Sequence, residues 1–231
     1  MRGSKLIFNE VDFNQEGCTV EVFQPESLSW DIIYYERADV QPYFNKRKRR
    51  LKEVPVTCTM ITDTKDRRAN EKRASEFISS LFALGFSWLQ INDLYCRAVL
   101  AEVNRSFFSN TITFDLTFIN LDGLWYGPEI TTSDLTITNN GVLETDNVIF
   151  EIMPTASQVV LKNSLGKIMT IDASSTTTPV IIDVMSMTVK QSGRHAPLTP
   201  SSRFFPLIKG TNNLVLTGGT PTIKYREVVE L

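Results

Sequence analysis

The sequence is poor in the side chains from which most enzyme and metal sites are built. Its 231 residues include one histidine and three cysteines. A zinc site draws on several histidine or cysteine ligands, and a serine-histidine-aspartate triad would have to use His195, which lies in a Gly/Pro-bounded stretch. The chain also has no G-x-S-x-G, G-x-x-x-x-G-K-[ST] or G-x-G-x-x-G motif. We therefore expect no catalytic residue, no bound metal and no cofactor, and we predict that the chain is not an enzyme.

The three cysteines, Cys18, Cys58 and Cys96, are far apart and odd in number. Disulfide scaffolds and zinc sites instead show even, closely spaced cysteines such as C-x-x-C. Each of the three lies in an apolar, strand-like segment. We predict buried, reduced thiols in a protein that is made in a reducing cytoplasm.

Long apolar runs and a strong net charge are also missing. No run approaches the roughly 18 residues of a membrane span, and no segment has the apolar core of a signal peptide. Because 24 Lys and Arg residues face 26 Asp and Glu residues, the formal charge is −2. We therefore expect no membrane partner and no secretion by the signal-peptide route. The charge balance gives the molecule as a whole no electrostatic reason to bind nucleic acid.

What the sequence does contain is short alternating segments separated by turn residues. Residues 111–118 alternate polar and apolar side chains without a break, which indicates a strand with one buried face. About ten weaker segments are separated by turn pairs such as Asp122-Gly123 and Asn140-Gly141. This pattern predicts a mainly β protein built from β-sandwiches rather than from βαβ units.

One segment has the period of a helix instead. Between residues 66 and 84 the apolar side chains form a single stripe with intervals of three and one. They are Ala74, Phe77, Ile78, Leu81 and Phe82. Asp63 or Asp66 can cap the start, and Gly85 stands where a left-handed residue would close the end. We predict a helix over residues 66–84 that lays its Phe/Leu face against the first sheet.

The composition changes near residue 128. The predicted helix and all three tryptophans precede this point, and seven of the ten prolines lie at residue 128 or beyond it. We therefore place a domain boundary at 127/128. Residues 1–127 are predicted as an α+β sandwich with one helix and an extended basic hairpin at residues 38–55. Residues 128–231 are predicted as an all-β sandwich.

The sharpest local feature is a basic cluster in this hairpin. It consists of Lys46, Arg47, Lys48, Arg49, Arg50 and Lys52. The cluster fits contact with nucleic-acid phosphates, the solvated tip of a hairpin between residues 31–37 and 54–61, or an electrostatic seam against an acidic neighbour in an assembly. Few aromatic side chains accompany it, which disfavours a single-strand binding groove. Because cations on one arm repel each other, packing beside carboxylates is favourable, and we take the six as a candidate subunit interface.

Several segments follow one another in a familiar order. They are the opening strand and turn at residues 6–13, the basic cluster, the helix end Leu81-Phe82-Ala83-Leu84-Gly85, the stretch Leu121-Asp122-Gly123-Leu124-Trp125-Tyr126-Gly127, Asn139-Asn140-Gly141, Val180-Ile181-Ile182-Asp183-Val184, Phe204-Phe205-Pro206-Leu207 and the closing Ile223-Lys224-Tyr225-Arg226-Glu227. In this order and spacing, over nearly the whole chain, the sequence resembles the distal tail protein (Dit) family of long, non-contractile-tailed phages and prophages of Gram-positive bacteria.

The resemblance implies a structural, non-enzymatic role. Family members place an N-terminal β-sandwich with a helix and an extended hairpin in a hexameric ring, and a galectin-like β-sandwich follows. The ring joins the tail tube protein to the tail-associated hub protein, and in several relatives it also holds receptor-binding or baseplate proteins. DNA passes transiently through the lumen. The implied location is the tail tip of the virion, after synthesis and assembly in the cytoplasm of the bacterial host.

The predicted second domain departs from the family pattern, because residues 128–231 show no insertion that could form a docking arm. Galectins bind sugar through a surface that includes tryptophan, and Trp30, Trp88 and Trp125 all precede this domain. The alternative from another class is a monomeric carbohydrate-binding, lectin-like module with an exposed aromatic platform. The candidates for that platform are Phe150, Phe204, Phe205 and Tyr225, which we expect in the core instead.

Overall fold

The computed structural model describes residues 4–22, 30–37, 40–49, 51–82 and 85–230, and the side chains of all of these except 22, 30–37 and 40–49. The chain divides into two compact units, Met1–Trp125 with Glu230–Leu231, and Tyr126–Val229. The boundary expected from composition, 127/128, lies two residues further along the chain. Each unit has its own set of buried apolar side chains.

The first unit contains, in its described part, one helix and nine strands. Its elements are β1 (Leu6–Phe8), β2 (Val11–Asp12), β3 (Cys18–Val22), β4 (Trp30–Arg37), β5 (Val40–Arg49), β6 (Lys52–Ile61), α1 (Arg67–Leu81), β7 (Ser87–Ile91), β8 (Leu94–Phe108) and β9 (Thr111–Asn120). Seven strands pair antiparallel in the order β3-β6-β9-β8-β7-β1-β2. Residues 94–98 of β8 pair with β7 and residues 98–108 pair with β9, with a bulge after Leu100, so β8 joins the two halves of the sheet.

The core of this unit is built from phenylalanines on strands and helix. In β9 the inward positions Ile112, Phe114, Leu116 and Phe118 are buried, which confirms the alternation predicted for residues 111–118. The Phe77 ring of α1 lies 5.0 Å from the Phe114 ring. Full burial of one such side chain contributes roughly 1.5–3 kcal/mol to stability. These contacts fix α1 against one face of the sheet and leave the opposite face uncovered by it.

The helix is shorter than predicted at its C-terminal end. It begins after Asp66, whose carboxylate accepts a hydrogen bond from the Arg68 backbone N–H at 3.0 Å, so Asp66 rather than Asp63 is the cap. It ends at Leu81, because Phe82 takes an extended conformation and is 66% exposed. The last two turns contain three serines whose hydroxyls bond to backbone carbonyls within the helix, and such bonds compete with helical hydrogen bonding.

The extended hairpin exists, but its strands differ from those predicted. Residues 31–37 were expected to pair with residues 54–61; instead β4 pairs with β5, as a separate two-stranded sheet. The predicted partner segment lies in β6, which pairs with β3 and β9. A run of cations has low strand propensity, and its composition therefore hid the strand β5.

The second unit is a sandwich of two antiparallel sheets. Its strands are β10 (Trp125–Thr132), β11 (Thr136–Asn139), β12 (Val148–Pro154), β13 (Gln158–Asn163), β14 (Ile168–Asp172), β15 (Val180–Asp183), β16 (Thr188–Gln191), β17 (Arg194–His195), β18 (Gly210–Thr217) and β19 (Gly219–Val229). One sheet has the order β17-β16-β15-β12-β19-β10 and the other β11-β18-β13-β14. Both sheets contribute to one apolar core, with Phe150 and Ile182 on the first and Leu161 and Ile171 on the second. The mainly β fold class predicted from the sequence is confirmed.

A buried amide closes one end of this sandwich. The Asn139 side chain donates from Nδ2 to the carbonyls of Leu143 (3.0 Å) and Leu207 (3.2 Å), and its Oδ1 accepts from the Gly141 N–H. A Cβ at Gly141 would lie 2.8 Å from the Val228 carbonyl oxygen, so a side chain has no room there. The Asn139-Asn140-Gly141 triplet is therefore required by the packing of the turn against β19.

The free edge of β14 is covered by the segment of residues 197–203. Thr199 donates its N–H to the Thr170 carbonyl, Arg203 donates to Ile168, and the Ser202 hydroxyl accepts from the Thr170 N–H. Unpaired edges promote association with other chains, and this segment removes that opportunity at β14.

Candidate functional site

The most distinctive surface is the side of the β3-β6-β9-β8 sheet that faces away from α1. Strand register places side chains from four strands in common rows, because residues paired across antiparallel strands point to the same side. One row consists of Thr19, Thr59, Thr113 and Ser106. The next consists of Glu21, Thr57, Asp115 and Asn104. The surface is therefore polar across four strands.

This surface carries a cluster of negatively charged side chains. Its carboxylates are Glu21, Glu53, Glu102 and Asp115, and no lysine or arginine points to this side from the described residues of β3, β6 and β9 or from residues 102–108 of β8. We call it the carboxylate face. Arg105, three residues after Glu102, belongs to the other side of β8, where its guanidinium bonds to the Ser75 hydroxyl of α1. Alternation thus separates these two charges: β8 directs Glu102 away from the helix and Arg105 toward it.

Short hydrogen bonds order the carboxylate face. The Thr57 hydroxyl donates to Asp115 Oδ1 at 2.8 Å across the β6–β9 pair. Asn104 Nδ2 donates to Glu102 Oε1 at 2.9 Å along β8. These donors are neutral, so they hold two of the carboxylates in place and leave their negative charge uncancelled.

One end of the face is apolar. Ile61 and Phe108 both pair with Thr111, so they share its row, and they are 69% and 83% exposed. Large apolar side chains at this level of exposure are an unfavourable choice for a surface that stays in water.

The structure divides the basic cluster. Lys46, Arg47, Lys48 and Arg49 form the last four residues of β5 and pair with β4. Arg50 lies outside the described residues. Lys52 begins β6, opposite Asn120, and is 7% exposed, so it belongs to the interior of the sheet and not to the hairpin. Four of the six predicted interface residues are therefore brought together on one strand, and one is separated from them.

The other groups considered from the sequence form no reactive site. His195 is exposed on the two-residue strand β17. Within the described ranges no three His, Cys, Asp or Glu side chains are placed to hold a metal ion. The three cysteines are buried, as predicted. A hydrogen bond with Cys18 and burial raise the pKa of the Cys58 thiol, and burial raises the pKa of Cys96, so both stay in the unreactive protonated form.

The four residues considered for an aromatic platform on the second unit do not form one. Phe150, Phe205 and Tyr225 are buried and Phe204 packs against the core, as expected from the sequence. Burial and the charge of Glu227 raise the pKa of Tyr225, which disfavours ionisation of its phenol. No helix in the described part of the chain is both long and apolar enough to cross a membrane.

Comparison with family models gives a match in the second unit. Residues 140–228 match the family model of the siphovirus-type tail component, C-terminal domain. No curated protein sequence matches the chain. These residues lie within the second unit, which is therefore similar in sequence to that tail-component domain.

The solved structures extend the likeness to both units. The crystal structure of the SPP1 Dit protein (gp 19.1) has a TM-score of 0.71 at 14% identity, covering 97% of this chain and 98% of that chain. The phage P2 baseplate in its activated conformation with Ca has a TM-score of 0.64 at 12% identity, covering 98% of each. The form with Sr has the same TM-score at 10% identity, with the same coverage. The fold is that of SPP1 Dit, and the recognition of the distal tail protein family from the sequence is confirmed.

Proposed function

We propose that the chain is a structural protein of a phage tail tip. Copies of it assemble into a ring that joins the tail tube to the host-adhesion device and leaves a passage for DNA. The tail-component family of the second unit supports the location in the virion, and the Dit fold of the whole chain supports the tail tip. This role is that of a connector without enzymatic activity, made and assembled in the cytoplasm of the bacterial host.

The observation that carries the proposal is the carboxylate face. A sheet in a monomeric sandwich needs only a wet outer face, and mixed charges serve that purpose. Here four carboxylates share one face with uncharged threonine, serine and asparagine. Duplex DNA is a dense line of negative phosphates, and cationic walls would bind it through release of counterions. A wall rich in carboxylates repels DNA and lets it slide, so we assign this face to the lumen.

Closure of the ring requires contacts between different surfaces of neighbouring copies. Head-to-tail contacts of that kind close into a ring when the rotation between copies fits. Among the described strands, β3 pairs only with β6, so its other edge is available for a neighbouring copy. The β4–β5 hairpin, with Lys46 to Arg49 on β5, supplies the second contact as a belt between subunits. We propose six copies, as the resemblance implies.

The partners follow from this position. The tail tube protein lies on one side of the ring and the tail-associated hub protein on the other. Receptor-binding or baseplate proteins attach only if the second unit offers a site, and it has no long insertion for that purpose. The exposed Ile61 and Phe108 at one end of the carboxylate face suit an axial contact with one of these proteins.

The test is the mass of the assembly in solution. Six copies of the 26.2 kDa subunit have a mass of about 157 kDa, which light scattering separates easily from a monomer. We expect the larger mass, together with a ring and a central hole in electron micrographs. A protein that stays at 26.2 kDa both alone and mixed with its tail partners contradicts the proposal.

A further inference from the structure

A cavity of about 300 Å³ lies in the first unit between the turn after β2, the β6–α1 linker and the first turns of α1. Its lining is rich in oxygen acceptors. Glu16 comes from the turn, Asp63 and the two neighbouring threonines from the linker, and Asn70 from the helix. Arg73 is the single cation in the lining, and its guanidinium is paired with Glu16 at 3.0 Å. The Asp63 carboxylate is exposed and has no ion pair with a described residue.

One buried atom in this lining lacks a partner. Asn70 is 2% exposed, and its Nδ2 donates to the carbonyls of Thr64 (3.2 Å) and Ser109 (3.4 Å). Its Oδ1 accepts no hydrogen bond from the described chain. Leaving a buried acceptor unpaired costs about 1–3 kcal/mol, so an amide at this position is unfavourable unless a donor reaches it from outside the molecule.

The charges around Asn70 select the kind of donor and the side from which it comes. Asn70 also lines a second cavity, whose lining includes Lys65, Arg67 and Arg105. These cations repel a cationic donor. In the first cavity, Glu16 and Arg73 are paired with each other, and the Asp63 carboxylate attracts such a donor. The chemistry therefore fits an ammonium or guanidinium group that enters past Asp63.

We propose that this cavity, which we call the Asp63 cavity, receives a basic side chain of β5 from a neighbouring copy of the same chain. The inference rests on the proposed ring and names the surface to which its belt attaches. The argument is charge complementarity: β5 ends in Lys46, Arg47, Lys48 and Arg49, the densest cationic run in the sequence. The carboxylate face is the competing acceptor, and it contains no buried unpaired acceptor among its described atoms.

Cross-linking of the unmodified protein tests the contact directly. A carbodiimide couples a carboxylate to a lysine amine only when the two are in contact. Rings are assembled from equal parts of ¹⁵N-labelled and unlabelled chains, coupled, digested and analysed by mass spectrometry. We expect mixed-label peptides that join Asp63 or Glu16 to Lys46 or Lys48. Links from these lysines only to Glu21, Glu53, Glu102 or Asp115 overturn the inference and the lumen assignment together.

Charge exchange supplies the second arm of the test. Asp63→Lys is expected to weaken the ring at least tenfold, seen as a fall in mass at fixed concentration. Adding Lys46→Glu and Lys48→Glu to the same chain is expected to restore the ring, because every interface then regains opposite charges. Glu144→Lys changes an exposed carboxylate of the second unit equally and serves as the control.

The outcomes separate the two proposals. A full ring in Asp63→Lys, with unchanged thermal unfolding, leaves the proposed function intact and refutes the Asp63 cavity as the acceptor. A wild-type protein that forms no ring under any condition refutes the proposed function, and this inference with it.

Discussion

Both units are built mainly from antiparallel strands, but they differ in how far their sheets and edges are covered. The second unit is the more closed of the two: its two sheets share one core, and residues 197–203 cover one of its edges, that of β14. The first unit is open in its described part, since β3 has a free edge, β4 and β5 form a sheet of their own, and a charged face lies opposite the helix. A closed sandwich is suited to standing alone, whereas an open one is stable and soluble as part of an assembly. The comparison supports our proposal that the first unit is the part that assembles.

The largest effect is expected from reversing the charge of the arm. Changing Lys46, Arg47, Lys48, Arg49 and Arg50 to Glu should abolish the ring, because the arm would then meet the carboxylates of its neighbour with like charge. The measurement is mass by light scattering, with circular dichroism to show that the fold is kept. Survival of the ring would show that the open unit assembles without its arm.

The next effect concerns the core of the open unit. Phe77→Ala should cost about 3–5 kcal/mol of unfolding free energy, because its ring contacts both Phe13 and Phe114. Denaturant titration measures the loss, and amide exchange locates it in the first unit. Phe108→Ala is the matched control: its ring is 83% exposed, so the change should stay within about 0.5 kcal/mol. Equal losses in the two variants would contradict the assigned core.

A smaller effect is expected at the turn of the closed unit. Gly141→Ala should cost about 2–3 kcal/mol, since its Cβ would be forced against the Val228 backbone. Gly127→Ala makes the same substitution where the nearest atom is 3.6 Å away, and it should be close to neutral. Denaturant midpoints compare the two. A neutral Gly141→Ala would mean that this end of the sandwich is looser than the structure shows.

The smallest effect is expected from reversing charges on the carboxylate face, and it tests the role of that face. Changing Glu53, Glu102 and Asp115 to Lys should leave the ring assembled and raise its affinity for duplex DNA about tenfold at low salt, with binding that weakens as salt rises. Fluorescence anisotropy with labelled DNA measures this. Changing the exposed Glu129, Asp134 and Glu144 of the second unit to Lys adds the same charge elsewhere. Equal DNA binding by both variants would argue against a lumen at this face.

Patterns within one segment of the sequence predict those structural features that depend only on residues close together in the chain. The alternation in β9 gives its buried face, and the helical stripe gives Ala74, Phe77 and Leu81 as the packed residues. The apolar surroundings of the cysteines give their burial. Each of these follows from the period of one element, so a single segment contains enough information.

Features that depend on register are not visible in a segment. Glu21, Glu53, Glu102 and Asp115 are scattered along the chain, and only the pairing of four strands places them on one face. Lys52 looks like part of the basic cluster, yet its position in β6 turns it inward. The shorter helix results from serine hydroxyls that bond within the last turns, an effect that the apolar stripe does not contain.

The covered edge of β14 has a consequence for evolution. A sandwich whose sheet edge is covered by its own chain can be exchanged between viruses as a module. Its stability does not depend on pairing that edge with a strand of a new neighbour. Recombination can then replace or enlarge the second unit without a change in the strands of the first.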